Sequence, residues 1–175
     1  TAPGNLVLDP GGAANRLFLC NTFAEAKAAV GYSEDYGNYT LCQAMDAFFK
    51  AFGVGPAVLC NVLDPETHKA DYAETLALVD GQATAGEIGI LLEGLSVKHG
   101  ETALEKGKDY AVSFNDGGYA VVTVFAEGVS SIALSGNKID PGKVSFGDIV
   151  GSYDSTTGKE TGIELVRKVY PTFGI

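Results

Sequence analysis

The chain has 175 residues, of which 46% are hydrophobic and 19% are charged, a balance typical of a globular protein and not of a disordered one. Its net charge is −10, and a surface of this sign repels nucleic-acid phosphates and anionic lipids, which argues against binding to either. The sequence holds no run of 18 apolar residues, so it predicts no membrane-spanning helix.

The first 63 residues predict alternating strands and helices. Arg16 to Cys20 indicates a short apolar strand, and the spacing of Thr22 and Glu25 is that of a capping box, which predicts a helix ending at Gly31. Thr40 and Gln43 predict the cap of a second helix. Segment 53–56 breaks this helix, and Ala57 to Leu63 predicts the strand that follows. The apolar stripe of the helix consists of Leu41, Met45, Phe48, Phe49 and Phe52.

Residues 64–144 lose helical periodicity and alternate as strands do. Asn115-Asp116-Gly117-Gly118 predicts a hairpin turn, because these residues tolerate positive φ. The segment carries 13 acidic and 6 basic residues and therefore most of the negative charge. Its predicted strands are 76–79, 88–97 with a bend at Gly94, 110–114, 119–125 and 130–134, followed by a loop at 137–142.

Residues 145–175 return to helical features. Ser145 and Asp148 predict the cap of a short helical turn, and Ile163, Val166, Val169 and Tyr170 lie on one face of a later helix that Pro171 ends. The predicted fold class is therefore α+β. It consists of a partial α/β core with a short sheet and flanking helices, residues 1–63 and 145–175, which carries an inserted small β-sandwich or barrel, residues 64–144.

No set of residues in the sequence predicts catalysis, a metal site or a cofactor. Cys20, Cys42 and Cys60 lie in apolar contexts at spacings that suit neither a disulfide framework nor a zinc site. His68 and His99 are predicted to be surface residues, and neither belongs to a chelating pair. The motif Gly53-Val54-Gly55 runs from helix to strand, the reverse of a dinucleotide-binding loop.

Five short blocks follow one another along the chain. The opening block is Thr1, Ala2, Pro3 and Gly4, and the block at the end of the apolar strand is Asn61, Val62, Leu63 and Asp64. The third block contains Asp148, Ile149 and Gly151, and the last two are Thr161 and Gly162, then Tyr170, Pro171, Phe173 and Gly174. In this order the blocks resemble those of the phage-type contractile tail sheath proteins, and the third resembles the family's short helical turn.

The resemblance implies a structural subunit that assembles as stacked hexameric rings around an inner tail tube and contracts to drive the tube through the host envelope. Its partners would be other sheath copies and the inner tail tube protein, with no nucleic acid, no direct membrane binding and no cofactor. The subunit would be assembled in the bacterial host cytoplasm and reside in the virion tail. Relative to the family pattern the chain lacks an N-terminal arm and the C-terminal part, so it is expected to be a fragment that is monomeric in isolation.

Three alternatives compete with this interpretation. The first is a sheath from a related contractile injection particle of the pyocin type. The second is an Ig-like or β-sandwich binding or adhesion module, which requires an exposed aromatic cluster with Tyr72, Tyr110 and Tyr119 as candidates. The third is a small enzyme on an α/β core, which requires a deep pocket with a perturbed carboxylate or cysteine.

Overall fold

The computed structural model describes residues 13–169, with side chains to residue 166. The first elements in this part of the chain are strand β1, Leu17–Cys20, and helix α1, Phe23–Val30. About 21% of the chain is helix and 40% is strand. It divides into two compact units. The first unit is Thr1–His68 with Asp140–Ile175, and the second unit is Lys69–Ile139.

Helix α1 confirms the predicted start and end. The Thr22 hydroxyl accepts the Glu25 N–H at 3.2 Å, and Gly31 ends the helix at φ 73°. The Glu25 carboxylate accepts the backbone N–H of Asn21 at 2.8 Å, one residue before the position that a capping box would use. The helix thereby also fixes the turn that connects it to β1.

Helix α2, Thr40–Met45, differs from the prediction at both ends. Tyr39 is its N-cap and no side chain caps it, so the capping box predicted from Thr40 and Gln43 is wrong. The helix continues as a π-helix over Asp46–Ala51. A π-turn has more residues per turn, which shifts the apolar stripe: Met45 is fully buried, whereas Phe48 and Phe52 are 51% and 76% exposed.

The sheet of the first unit has two antiparallel strands. Strand β2, Ala57–Cys60, pairs with β1 so that Leu17 lies opposite Cys60. It is shorter than the predicted strand 57–63, because the chain turns at Asn61. The sheet and helices share a small core of Cys20, Ala26, Val30, Met45 and Leu59.

The first unit resumes after the second unit with a 3₁₀ turn, Pro141–Lys143. Two helices follow, α3, Phe146–Val150, and α4, Ile163–Val169.

The second unit consists of two antiparallel sheets around one core. One sheet has the strand order β3-β9-β5-β6 and the other β4-β8-β7. Tyr72, Ile90, Tyr110, Val122 and Ile132 are among its buried core residues and come from both sheets. The strands are β3, Lys69–Ala77; β4, Gln82–Ile88; β5, Ile90–His99; β6, Thr102–Ala103; β7, Tyr110–Phe114; β8, Tyr119–Val124; and β9, Ser131–Ile139.

The predicted hairpin at 115–118 is confirmed, since the Asn115 side chain accepts the N–H groups of Gly117 and Tyr119 at 3.0 Å each. The bend predicted at Gly94 is confirmed as well, with φ 73° and a shift of register between Leu91 and Ser96. The loop predicted from residue 137 is wrong at its start. Residues 137–139 continue β9, because β3 pairs with them as far as Lys69 opposite Ile139. Strand β4 has no counterpart among the predicted strands.

The tyrosines and charges of the second unit bear on its role. Tyr72 and Tyr110 are buried, at 4% and 3% exposure, and Tyr119 is 38% exposed, so these three do not form the exposed cluster that an adhesion module requires.

The second unit holds ten acidic and five basic residues, and the first unit holds twelve acidic and seven basic residues. The negative charge is thus shared equally by the units, because Asp64, Glu66 and Asp140 lie in the first.

The core of the second unit can be tested by truncation. Replacing Ile132, which is 1% exposed, by alanine should lower the free energy of unfolding by about 2–5 kcal/mol through lost burial and a cavity. Val79→Ala, at a position 72% exposed, should change it by less than about 0.5 kcal/mol. Chemical denaturation measures both, and equal effects would contradict the core placement.

Candidate functional site

A buried asparagine turns the chain at the end of β2. Asn61 is 3% exposed, and its side-chain oxygen accepts the Leu63 N–H at 3.0 Å while its amide nitrogen donates to the Leu63 carbonyl at 3.3 Å. The Asn61 carbonyl accepts the N–H of Asn15 at 2.7 Å. Because its polar side-chain atoms are satisfied within the turn, Asn61 serves to fix the backbone. Val62 is half-buried and Leu63 is buried.

Asp64 organises the next turn. Its carbonyl accepts the His68 N–H at 2.7 Å, and its carboxylate accepts the Glu66 N–H at 2.9 Å. Its own N–H donates to Nδ1 of His68 at 2.9 Å. Since Nδ1 is an acceptor in this geometry, the network assigns the imidazole proton to Nε2.

His68 joins this turn to helix α3. The sequence predicts His68 as a surface residue, which is wrong, because it is 5% exposed and its Nε2 lies 3.5 Å from a carboxylate oxygen of Asp148. The two residues are 80 positions apart in the sequence, and no local pattern signals their contact. His68 thereby places the Asp64 turn next to the N-terminus of α3.

Asp148 also completes the capping box at the start of α3. Its carboxylate accepts the N–H and the hydroxyl of Ser145 at 2.7 and 2.6 Å, and the Ser145 hydroxyl accepts the Asp148 N–H at 3.4 Å. These hydrogen bonds from Ser145 are the main reason why the pKa of Asp148 lies below its ordinary value, and the adjacent His68 lowers that pKa further. The carboxylate is therefore a structural acceptor held in its ionised form.

Two glycines allow the ends of α3 and the segment before α4 to meet. Gly151 ends α3 at φ 78°, and a Cβ there would overlap the carbonyl oxygen of Thr161. A Cβ at Gly162, which has φ 59°, would lie 2.6 Å from the carbonyl oxygen of Ile149. Only glycine permits this approach of two backbones. Thr161 supports it, since its hydroxyl accepts the Ser152 N–H at 3.0 Å.

Asparagine and cysteine side chains connect the glycine contact to the sheet. The Gly162 N–H donates to the side-chain oxygen of Asn15 at 3.3 Å, and its carbonyl lies 3.7 Å from the Cys60 sulfur. We call this set of turns the junction network, defined by residues 61–68, 145–151 and 161–162 with Asn15.

The structure thus brings together nine of the residues singled out by the sequence blocks. They are Asn61, Val62, Leu63, Asp64, Asp148, Ile149, Gly151, Thr161 and Gly162. Thr1, Ala2, Pro3 and Gly4, and Tyr170, Pro171, Phe173 and Gly174, lie outside the described residues. The residue that sequence reasoning missed is His68.

Burial and hydrogen bonding are the main causes of the raised pKa values of two thiols and one tyrosine among the described residues. Burial raises the pKa of the Cys20 and Cys60 thiols, which disfavours the nucleophilic thiolate. Tyr32, hydrogen-bonded to Tyr36 and Asp46, has its pKa raised to about 12. Within residues 13–169 no three His, Cys, Asp or Glu residues are grouped so that they could hold a metal ion, and no helix there is long and apolar enough to cross a membrane.

Comparison with known proteins identifies one relevant similarity. The chain is 28% identical over 154 residues to a protein named tail sheath protein from Burkholderia phage BcepMu. The match covers 83% of this chain and 31% of that protein, so the chain spans about a third of the relative's length. No protein-family profile matches the sequence, and no solved structure matches the chain.

The glycine contact predicts a large effect of one methyl group. Gly151→Ala should lower the free energy of unfolding by about 3 kcal/mol or more, because the backbone must both keep a positive φ and move away from Thr161. Gly158→Ala is the matched control, since Gly158 has φ 70° but nothing within 4 Å of its Cβ position, and it should cost only about 1–2 kcal/mol. Equal losses in urea unfolding would show that the two backbones do not meet.

The cap of α3 predicts a pH dependence of stability. Because the pKa of Asp148 is lowered in the folded state, the unfolded chain binds more protons at acidic pH. The contribution of Asp148 to the free energy of unfolding is therefore fully present above its ordinary pKa of 3.8. It is lost as the pH falls through the lowered pKa. Asp148→Asn should therefore lower stability at pH 7 and flatten the loss between about pH 5 and pH 2. Melting temperatures across this range test this.

Ser145→Ala provides a second variant, because it keeps the carboxylate and removes a hydroxyl that donates to it. This variant should also lose less stability than the wild type between about pH 5 and pH 2. An Asp148→Asn variant that loses as much stability as the wild type between about pH 5 and pH 2 would contradict the role assigned to the cap. Asp46 and Asp154, whose pKa values are also lowered, remain in both variants and contribute to the residual slope.

Proposed function

We propose that this chain is part of the sheath subunit of a phage-type contractile tail and that its role is structural and not enzymatic. The observation that carries the proposal is the similarity to the BcepMu tail sheath protein, which extends over 83% of the chain. The order of the sequence blocks agrees with it. The residues of these blocks that the structure describes fix backbone turns, which is what a packing motif requires.

The organisation of the chain supports an inserted domain. Strand β3 is the first strand of the second unit and β9 is its last. The two strands pair along nine residues, from Lys69 opposite Ile139 to Ala77 opposite Ser131. Within the first unit, the Asp140 N–H donates to the His68 carbonyl at 2.8 Å. Entry and exit are therefore adjacent, as an insertion demands. We assign residues 1–63 and 145–175 to the sheath core and residues 64–144 to the insertion with its connections.

In this proposal, subunits assemble in the bacterial host cytoplasm as stacked hexameric rings around the inner tail tube and become part of the virion tail. Contraction is a switch between two packings of the same subunits and drives the tube through the host envelope. Its free energy comes from the difference between subunit interfaces, so no nucleotide or cofactor is consumed.

Electron microscopy tests the proposal. The natural polypeptide that carries this sequence should be produced in bacteria with and without the tail tube protein and viewed in negative stain. We expect rings or hollow tubes, longer and more uniform when the tube protein is present.

A polypeptide that stays monomeric at high concentration with the tube protein present would overturn the sheath proposal. A gene for a tube protein directly downstream would agree with it. Rings that form without a tube-like partner and do not stack would favour a different kind of assembly.

A further inference from the structure

Two Asp-Gly pairs occur in the sequence, and each lies in a turn of the second unit. They are Asp80-Gly81, between β3 and β4, and Asp116-Gly117, between β7 and β8. Because glycine has no Cβ, its backbone nitrogen is sterically open to attack the side chain of a preceding aspartate and close a succinimide ring. The two pairs have the same chemistry in an unfolded chain, so only the fold can make them differ.

Asp80 and Gly81 form the two-residue loop of the β3–β4 hairpin. The Val79 N–H donates to the Gln82 carbonyl at 2.8 Å, and the Gln82 N–H donates to the Val79 carbonyl at 3.0 Å. Both loop residues have positive φ, 50° at Asp80 and 76° at Gly81, as a type I′ turn requires. Asp80 is exposed, and the adjacent Val79 is 72% exposed, so the aspartate side chain lies at an open loop tip.

The two groups that would react at this loop are not held by hydrogen bonds. Among the residues that the structure describes, neither the Gly81 N–H nor the Asp80 carboxylate has a hydrogen-bond partner. The Gly81 carbonyl is engaged, since it accepts the Val124 N–H at 2.8 Å. The nitrogen of Gly81 can therefore turn towards Asp80 without breaking a hydrogen bond of its own.

Asp116-Gly117 differs from this pair because its nitrogen is engaged. The Asn115 side-chain oxygen accepts the Gly117 N–H at 3.0 Å and the Tyr119 N–H at 3.0 Å. The Gly117 nitrogen must give up this hydrogen bond before it can attack Asp116. One hydrogen bond of typical net strength changes an equilibrium about fivefold, so the attack on Asp116 should be slower by about that factor.

We propose that Asp80 is a modification site at which the folded chain converts spontaneously to isoaspartate, and that Asn115 protects Asp116 from the same reaction. In the first step the Gly81 nitrogen forms a bond to Cγ of Asp80. One carboxyl oxygen leaves as water and takes up the amide proton and the carboxyl proton. The inference concerns the second unit alone and does not depend on the proposed sheath function.

Water opens the ring in the second step. It adds to the backbone carbonyl carbon of Asp80 and breaks the bond from that carbon to the Gly81 nitrogen, which takes up a proton. The backbone then runs through Cβ and Cγ of the former aspartate, and the old carbonyl carbon becomes a free carboxylate. One water is lost and one is gained, so the mass is unchanged and no group is oxidised or reduced.

Isoaspartate adds one carbon atom to the backbone of a loop that closes tightly. The Val79–Gln82 pair depends on positive φ at both loop residues, and a longer loop no longer has this geometry. The hydrogen bonds of the pair should therefore weaken in the modified chain. We expect amide hydrogen exchange at Val79 and Gln82 to become at least about fivefold faster, which corresponds to the loss of one typical hydrogen bond.

Peptide mapping after incubation of the folded chain near neutral pH tests the proposal. Trypsin places Asp80 in peptide 70–98 and Asp116 in peptide 109–138, and electron-transfer fragmentation distinguishes isoaspartate from aspartate of the same mass. We expect isoaspartate to form about fivefold faster at position 80 than at 116 in the folded chain, and at equal rates in urea. A rate at 80 that does not exceed the rate at 116, or isoaspartate at 80 only in urea, would overturn the proposal.

Asn115→Ala tests the protection of Asp116 within the same chain. It removes the acceptor of the Gly117 N–H and should raise the rate at 116 about fivefold while the rate at 80 stays constant. Asn137→Ala is the matched control, since Asn137 lies in β9 and contacts neither loop through a hydrogen bond in the described part of the chain. It should change neither rate. An unchanged rate at 116 in a folded Asn115→Ala chain would show that the hydrogen bond does not protect Asp116.

The chain that carries isoaspartate at position 80 is separated by chromatography for the exchange measurement. Exchange at Val79 and Gln82 that is as slow as in the unmodified chain would overturn the expected opening of the hairpin loop. Amides of the second-unit core, such as Ile132, provide the reference that should remain unchanged.

Discussion

Gly151 and Gly162 bring two backbone segments closer together than any side chain would allow, and the architecture of the first unit depends on that contact. It sets the end of helix α3 against the start of α4. Through Gly162 it also reaches the Asn15 side chain and the Cys60 thiol, and hence the two-stranded sheet. A sheet of two short strands is marginal by itself, so these connections stabilise it. Segments more than a hundred residues apart in sequence thereby become one structural element.

The buried His68 extends the same network to the connection with the second unit. A neutral imidazole that accepts at Nδ1 and faces Asp148 with Nε2 joins two turns without burying an unpaired charge. Asp148 then serves two partners, Ser145 and His68, so the cap of α3 and the position of the Asp64 turn are not independent. Helix α3 has five residues and would be unstable alone. Its cap and this network allow it to present apolar side chains to solvent.

Charge and apolar surface are distributed in a complementary way. Both units carry the same net charge, since each has five more acidic than basic residues. Two clefts of the first unit, which α2, β2 and α4 line, have no charged side chain among the described residues that line them. In a chain of net charge −10, such a face favours contacts that depend on shape and desolvation, which vary little with ionic strength.

The sequence alone determined several features that depend on residues within four positions of one another, although the capping box expected at Thr40 does not form. The α1 cap at Thr22, the Asn115 turn and the Ser145–Asp148 capping box are of this kind, because each is closed by hydrogen bonds to nearby backbone groups. The sequence also marked nine residues of the junction network through their resemblance to a family. Only the tertiary structure decided what those residues do. Four features depend on partners or packing that no local pattern encodes. They are the π-turn that exposes Phe52, the buried position of His68 beside Asp148, the extension of β9 opposite Lys69 and the contact of Gly151 with Gly162. Distant segments contribute these contacts, and their energy is gained only when the whole unit packs.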